Sequence, residues 1–322
     1  MKKTRLMVCL AVIVAAAAAI IILISTRGGQ PKPKIGSPPK TTHSAQSPPA
    51  SPPSQSVALA HIFIIVEENQ PAAGIVGNSN APYINSLIKK YSLASNYHAV
   101  AHPSLPNYLA LTSGSSDGIT NDCNPPSTGC KINAPNIADE IEKSGRTWKQ
   151  YAESMPSNCY AFNSGRYATK HNPFVYYKDI INNSARCHKH VVPFSGLTGD
   201  LGSLKSTPNY AFITPNLCND MHNCSVATGD KWLAKYVPEI LKSQAFTKQN
   251  SLLVITWDEG NASTNHVAAV LAGSAVKKGY LSSRRYNHYS LLHTIETVWS
   301  LSPLTNNDQK APIMTEFLQS KN

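Results

Sequence analysis

The chain has 322 residues, of which 42% are hydrophobic and 15% are charged, so it can bury a sizeable folded core. Its formal net charge is +11, but residues 1–57 hold seven of the 29 Lys and Arg and none of the 18 Asp and Glu. The rest of the chain therefore has 22 basic residues (29 less 7) against 18 acidic ones, which removes excess positive charge as an argument for a nucleic-acid partner.

The N-terminus predicts a membrane segment. Three basic residues precede an apolar run over 6–24, which is 19 residues long and uncharged and could cross a bilayer as a helix. This run is longer than the apolar region of a typical cleaved signal peptide and lacks a small-x-small site at its end. We interpret residues 1–27 as a transmembrane anchor, with a cleaved signal segment as the alternative. The following chain is then extracytoplasmic, either membrane-anchored or secreted.

Residues 28–57 predict a disordered tether, because they are rich in Pro, Ser, Lys and Thr and cannot bury a core. Its basic residues could lie on an anionic membrane surface. Residues 58–322 form the predicted extracytoplasmic domain. The sequence carries no oligomer signal, and we expect a monomer.

Uninterrupted apolar runs alternate with amphipathic segments along this domain. The first run, 58–66, is apolar without interruption, which is typical of a strand buried on both faces of a parallel sheet. The region over 158–204 is irregular in pattern. The other predicted elements are strands over 147–151, 209–215, 251–257 and 267–272, and helices over 83–91, 137–144, 230–241 and 289–300. This alternation predicts an α/β fold, a three-layer α/β/α sandwich with a mostly parallel central sheet.

Six cysteines lie in the predicted outer domain, an even number that favours three disulfides outside the reducing cytosol. Sequence alone allows 15 connectivities for six cysteines. We expect neighbours to pair, and the alternative of zinc ligation lacks support because no Cys-x-x-Cys pair is present. The expected pairs are Cys123 with Cys130, Cys159 with Cys187, and Cys218 with Cys224.

Three of the predicted strands end in acidic or His-containing clusters. These are Glu68-Asn69, the run 216–222 that contains Asp220 and His222, and Asp258-Glu259 with His266 shortly after. In a parallel sheet such ends meet at one edge, where ligands bind. One acidic strand end alone is usually a solvated loop, but three together have the ligand types of Zn²⁺, Mn²⁺, Mg²⁺ or Ca²⁺.

Ser104 lies between Pro103 and Pro106. Because each proline fixes its own φ and restricts the residue before it, we expect Ser104 on a stiff turn rather than inside a regular element. Such a turn suits a nucleophile, although Pro and Ser are also common in ordinary surface turns. A serine needs a base or a metal for activation, and the three polar strand ends could supply either.

Taken together, these segments resemble the phosphoesterase family that contains bacterial secreted acid phosphatases and phosphocholine-type phospholipases C. The resemblance covers residues 60–303 and depends on His102–Tyr108, Glu68-Asn69, Asp220-Met221-His222 and Trp257–Gly260 with His266. That family looks related to the alkaline phosphatase superfamily. The resemblance therefore implies an alkaline phosphatase-like sandwich and a covalent phospho-enzyme.

The resemblance also implies roles for single residues. Ser104 becomes the nucleophile, while Asn69 and Asn121 become hydrogen-bond donors to the phosphate. The superfamily often has an Asp-His pair where this chain has Asp258-Glu259, so an oxygen-rich site could prefer Ca²⁺ or Mg²⁺ to zinc. The implied metal ligands are Glu68, Asp258 and Glu259 on one side, and Asp220, His222 and His266 on the other.

Three further residues are candidates for contact with the substrate. Lys170 and His171 could contact the phosphate or give a proton to the leaving group, or could lie on a solvated loop. His288 is expected to approach the site at the start of the last helix.

The leading hypothesis from the sequence is an extracytoplasmic, metal-assisted phosphomonoesterase whose substrate is a small phosphate ester or a lipid headgroup. The alternatives are a phospholipase C or another phosphodiesterase with the same centre, and a non-catalytic surface binding module.

Overall fold

A computed structural model describes residues 57–124, 126, 128–260 and 263–319. The predicted anchor and nearly all of the predicted tether lie outside these residues. Within them, no helix is long and apolar enough to cross a bilayer.

A mixed β-sheet lies at the centre of the fold. In the described part of the chain its strands are β1 His61–Glu67, β2 Ser92–His98, β3 Trp148–Ala152, β4 Val191–Pro193, β5 Tyr210–Thr214, β6 Ser251–Trp257, β7 His266–Ala272, β8 Tyr280–Ser282 and β9 Tyr286–Asn287. The strand order is β4-β3-β5-β1-β6-β7-β2-β8, and β9 pairs with β2. Only β7 runs antiparallel to its neighbours among these strands, which confirms a mostly parallel sheet.

The helices of the described residues are α1 Ala72–Ile75, α2 Pro82–Lys90, α3 Ser104–Ser113, α4 Ile137–Lys143, α5 Lys178–Ile181, α6 Ser184–His190, α7 Leu197–Asp200, α8 Val226–Lys242, α9 Gln244–Lys248, α10 His288–Trp299 and α11 Asn306–Lys310. α3 packs with α4 and α10, and α2 packs with α8, as expected for layers on the two faces of a sheet. Because both faces are covered, all seven residues of β1 are buried.

Ser104 corrects one expectation, since it is the first residue of α3 and not part of a separate turn. Both prolines fit this position. Pro103 is the N-cap residue, and Pro106 lies in the first helical turn, where a backbone N–H has no partner within the helix and its loss costs little.

The three predicted cysteine pairs are confirmed as disulfides. They are Cys123–Cys130, Cys159–Cys187 and Cys218–Cys224.

Asp230 joins the helices α2 and α8. Its buried carboxylate accepts hydrogen bonds from the backbone N–H groups of Tyr83 (3.0 Å) and Ile84 (2.8 Å) in the first turn of α2. The negative charge also suits the positive end of that helix.

We expect Asp230→Asn to lower the free energy of unfolding by about 1.5–3 kcal/mol, because it weakens two charge-assisted hydrogen bonds. Urea unfolding of the purified protein measures the change. Glu239→Gln is the matched control, because Glu239 is an exposed residue of the same helix and its change should stay within about 0.5 kcal/mol. Equal stability of both variants would contradict the role of Asp230.

Candidate active site

The hydroxyl of Ser104 lies at the N-terminus of α3, where the helix dipole favours negative charge. Its side chain is buried, with 1% exposed. The Ser104 Oγ donates a hydrogen bond to Glu68 Oε2 (3.1 Å) and lies 3.4 Å from Lys170 Nζ. A buried hydroxyl is therefore held between an acidic and a basic group.

Three acidic side chains reach this point from three neighbouring parallel strands. Glu68 follows β1, Asp258 follows β6, and Glu67 pairs in register with Trp257, so the two carboxyl groups emerge at the same level of the sheet. Asp220 belongs to the loop after β5, and its backbone oxygen accepts a hydrogen bond from Glu68 N (2.8 Å). The structure thus brings together the three strand ends.

These carboxyl groups are poorly compensated. Burial, and then the charges of Asp258 and Asp220, hold the pKa of Glu68 well above its usual range. Burial is also the main cause that raises the pKa of Asp258 and of Asp220 to about 7. Among the described residues, Asp258 Oδ2 and Asp220 Oδ2 have no hydrogen-bond partner. A buried carboxylate in that state needs a proton or a cation.

His171 lies between two of these groups. Its Nε2 is 3.1 Å from Glu68 Oε1, and its Nδ1 is 3.2 Å from Asp220 Oδ2. Neither contact is aligned as a hydrogen bond, since His171 Nε2 and Asp220 Oδ2 both have no hydrogen-bond partner in the described part of the chain. Burial and then the charge of Lys170 lower the pKa of His171 well below its usual range, which favours a neutral imidazole.

Lys170 is held in place by Asp122, a residue that no sequence motif indicates. Asp122 Oδ2 is 2.9 Å from Lys170 Nζ, and Asp122 Oδ1 accepts a hydrogen bond from Leu105 N (3.3 Å) in the first turn of α3. Burial alone would lower the pKa of Lys170, but the hydrogen bond that Lys170 donates to Asp122 and the charge of Glu68 raise it instead. Lys170 therefore stays cationic beside Ser104.

Tyr108 was also missed, although its spacing was a usable signal. It lies four residues after Ser104, on the same side of α3, and its hydroxyl donates to Glu68 Oε1 (2.7 Å). The ring stacks on His171 at 5.4 Å between centroids. Tyr108 thus fixes the orientation of both side chains.

Asn69, His222 and Glu259 border this group. Asn69 adopts a positive φ of 51°, and its N–H donates to Asp258 Oδ1 (3.1 Å). The ring of His222 lies 5.9 Å from that of His171, measured between centroids, and the backbone N–H of His222 donates to Asp220 Oδ1 (2.8 Å). Glu259 Oε2 is 2.6 Å from His102 Nδ1.

The other sequence candidates have different contacts. Asn121 is exposed, and its Oδ1 accepts from Cys123 N (2.9 Å). His266 bonds through Nε2 to Ser95 O (2.8 Å) and stacks on His98.

His288 is buried, and its Nε2 is 2.7 Å from the backbone oxygen of Asp258. Burial lowers the pKa of His288 to about 4. The contacts of Asn121 and His266 do not connect them to Ser104, whereas His288 supports the loop that carries Asp258.

The donor set at this edge suits a hard divalent cation. Glu68, Asp258 and Asp220 offer carboxylate oxygens, two of which lack a hydrogen-bond partner among the residues described, and such oxygens are the ligands of Mg²⁺ and Ca²⁺. Nowhere in the described part of the chain do three or more His, Cys, Asp or Glu side chains form a ready metal-ligand cluster. The fit therefore depends on donor chemistry and not on a preformed cage.

Sequence comparison finds related phosphatases. A model of the Phosphoesterase family matches residues 74–302. A phosphatidylinositol-3-phosphatase of Mycobacterium tuberculosis is 36% identical over 261 residues, which are 80% of this chain and 83% of that protein. A phosphate-repressible acid phosphatase of Penicillium chrysogenum is 32% identical over 72% of this chain but only 57% of its own length. The chain thus spans less than two thirds of that fungal relative.

Solved structures confirm the fold. A protein of the alkaline phosphatase superfamily from Vibrio parahaemolyticus gives a TM-score of 0.55 at 14% identity, over 80% of this chain and 71% of its own. A phosphonate monoester hydrolase of Agrobacterium radiobacter gives 0.52 at 10% identity, over 80% and 77%. At such low identity these likenesses show the fold alone, whereas the sequence matches show the activity class. The chain therefore belongs to the Phosphoesterase family, as a hydrolase of phosphoric esters with an alkaline phosphatase-like fold.

Proposed function

We propose that this protein is a metal-assisted phosphoric monoester hydrolase that acts through a covalent phosphoserine on Ser104. The observation that carries the proposal is the position of the Ser104 hydroxyl, 3.1 Å from Glu68 Oε2 and 3.4 Å from Lys170 Nζ at a helix N-terminus. A nucleophile needs a route for its proton and positive charge near the transferred group, and both lie within contact distance.

The reaction has two steps. Ser104 Oγ attacks the phosphorus and the bond from phosphorus to the ester oxygen breaks, so that an alcohol leaves and a phosphoserine remains. Water then attacks the phosphoserine, releases inorganic phosphate and restores the hydroxyl. The hydrogen bond from Ser104 Oγ to Glu68 Oε2 orients the hydroxyl and marks where its proton can go. Lys170 and the first turn of α3 offset the charge of the phosphoryl oxygens.

Glu68, Asp258 and Asp220 are the proposed core of the metal site, with Glu259 and His222 as the outer candidates, whereas His266 is not retained because its ring bonds to Ser95 O and stacks on His98. A bound divalent cation would supply Lewis-acid charge near the nucleophile and the phosphoryl oxygens. Asn69 and His171, which border the carboxylates, are the proposed phosphate contacts.

A phosphate monoester is the favoured substrate over a diester, because its phosphoryl group carries one more negative charge. Lys170 is a fixed cation 3.4 Å from the nucleophile, and its positive charge suits the dianionic phosphoryl group of a monoester. An extracytoplasmic location is part of the proposal, since three disulfides are typical of an oxidising compartment.

Ser104→Ala should lower kcat for the hydrolysis of 4-nitrophenyl phosphate by about 10³-fold or more, because the nucleophile is lost. Acid quenching followed by mass spectrometry should detect phosphoserine at position 104 in the unsubstituted protein alone. Ser86→Ala, at an exposed helical serine, serves as the control and should keep full activity. Undiminished hydrolysis by Ser104→Ala would refute the covalent mechanism.

Asp122→Asn should lower kcat/KM by about 10- to 100-fold, because Lys170 loses a charge-assisted hydrogen bond of about 1.5–3 kcal/mol. Asp122→Glu should recover part of the loss. Asp117→Asn is a control from the same loop, since Asp117 pairs with Ser113 (2.9 Å). If Asp122→Asn and Asp117→Asn behave alike, Asp122 does not position Lys170 for the reaction.

Added Ca²⁺, Mg²⁺ or Mn²⁺ should raise the Tm of the chelator-treated protein, because a cation would compensate the buried carboxylates. At a free cation concentration of 100 times Kd, the free energy of unfolding should rise by about 2.7 kcal/mol. Differential scanning calorimetry measures the shift, and Asp258→Asn should reduce it. A Tm that no divalent ion changes would argue against the metal site.

A further inference from the structure

A polar pocket of about 340 Å³ lies directly beside the proposed phosphate site. Its lining includes Lys170 and His222 together with Asn124, Asn163, Tyr167 and Asn223. Lys170 connects the two places, because its Nζ is also 3.4 Å from Ser104 Oγ. A phosphate held against Lys170 would therefore have this pocket next to it.

Two of the loops that line the pocket are tied together. Leu217 N donates to Arg166 O (3.0 Å), which joins the loop over 217–223 to the loop over 163–170. Asn223 N donates to Leu217 O (2.7 Å), and the disulfide Cys218–Cys224 closes the same loop. Such cross-links keep the walls in place before a ligand arrives, which reduces the ordering cost of binding.

The polar groups of this lining are mainly hydrogen-bond donors. Asn163 Oδ1 already accepts from Thr169 N (3.0 Å), and Asn223 Oδ1 is 2.7 Å from His222 Nδ1. Each side chain therefore still offers its NH₂ group. Lys170 is cationic, and in the part of the chain that the structure describes the lining contains no carboxylate. A ligand for these walls should present several acceptor oxygens.

The aromatic residue in the lining gives no open stacking platform. Tyr167 is buried, and its hydroxyl is already bonded to Tyr160 O (2.8 Å) and Asn172 Nδ2 (3.0 Å). The pocket thus suits hydroxyl groups on a compact carbon frame better than a flat aromatic ring.

We propose that this pocket binds the leaving group of the ester, and that the leaving group is a hydroxyl-rich alcohol such as a sugar or another polyol. The inference depends on the proposed function, because it places the transferred phosphate between Ser104 and Lys170. The hydroxyl oxygens of the polyol accept from the amides of Asn163 and Asn223.

Asn163→Asp is the main test variant, because a carboxylate keeps the acceptor for Thr169 N and removes the NH₂ donor. The measurement is kcat/KM for glucose 6-phosphate and for 4-nitrophenyl phosphate. We expect a loss of about tenfold for the sugar ester, since donor groups to its hydroxyls are lost, and a change within about twofold for the aryl ester. Asn223→Ala, at an exposed position, should lower the ratio of kcat/KM for the sugar ester to kcat/KM for the aryl ester without adding charge near Lys170.

Asn182→Asp is the matched control, because Asn182 is exposed at the end of α5 and should leave both rates unchanged. A ratio of sugar to aryl rates that stays constant in either pocket variant would overturn the proposal.

Binding of glucose 6-phosphate to Ser104→Ala, measured by calorimetry, separates the pocket from the chemistry. Weaker binding when Asn163→Asp is added supports the pocket even if the phosphoserine mechanism fails. Equal binding overturns the proposal even if that mechanism holds.

Discussion

Burial of several carboxyl groups at one edge of the sheet is the constraint on which the site depends. Glu68 and Asp258 are fully buried and Asp220 is 1% exposed, and the neighbouring Glu67 is also buried with neither carboxylate oxygen hydrogen-bonded within the described residues. An uncompensated buried carboxylate costs several kcal/mol, and the raised pKa values of all four groups express that cost. The fold therefore has to bring positive charge to this edge, and Lys170 and the N-terminus of α3 are two sources of it.

The sheet topology explains why the acidic groups meet. β1 lies between β5 and β6, and all three strands are parallel, so their carboxyl ends open at one edge. The positive groups arrive from outside this trio. α3 brings its N-terminus, and the loop around Lys170 comes from the irregular segment that Cys159–Cys187 braces. Asp122 then links the two, through Lys170 Nζ at 2.9 Å and Leu105 N at 3.3 Å. Asp122 therefore both balances the charge of Lys170 and ties the Lys170 loop to α3.

Sequence patterns predicted the inner parallel strands because burial on both faces leaves a continuous apolar run, as in β1 and β6. They did not predict β2, whose seven residues SLASNYH mix polar and apolar side chains, because its place in the sheet depends on pairing with distant strands. Ser104 was expected on a turn because prolines usually interrupt helices, but the first helical turn tolerates them. Asp122 and Tyr108 contact the site through space, and only the helical spacing of Tyr108 was visible in the sequence.

The edge of the sheet to which a residue belongs does not decide where its side chain points. His266 begins β7, which runs antiparallel to β6, so it lies near the end of β6 as its sequence position implies. Its ring nevertheless stacks on His98 and bonds to Ser95 O, because the pairing of β7 with β2 places His98 opposite His266. Glu68 faces Ser104 instead, because Tyr108 and Ser104 of α3 bond to its two oxygens. The contacts made by α3, and not the sheet alone, therefore determine which side chains form the candidate site.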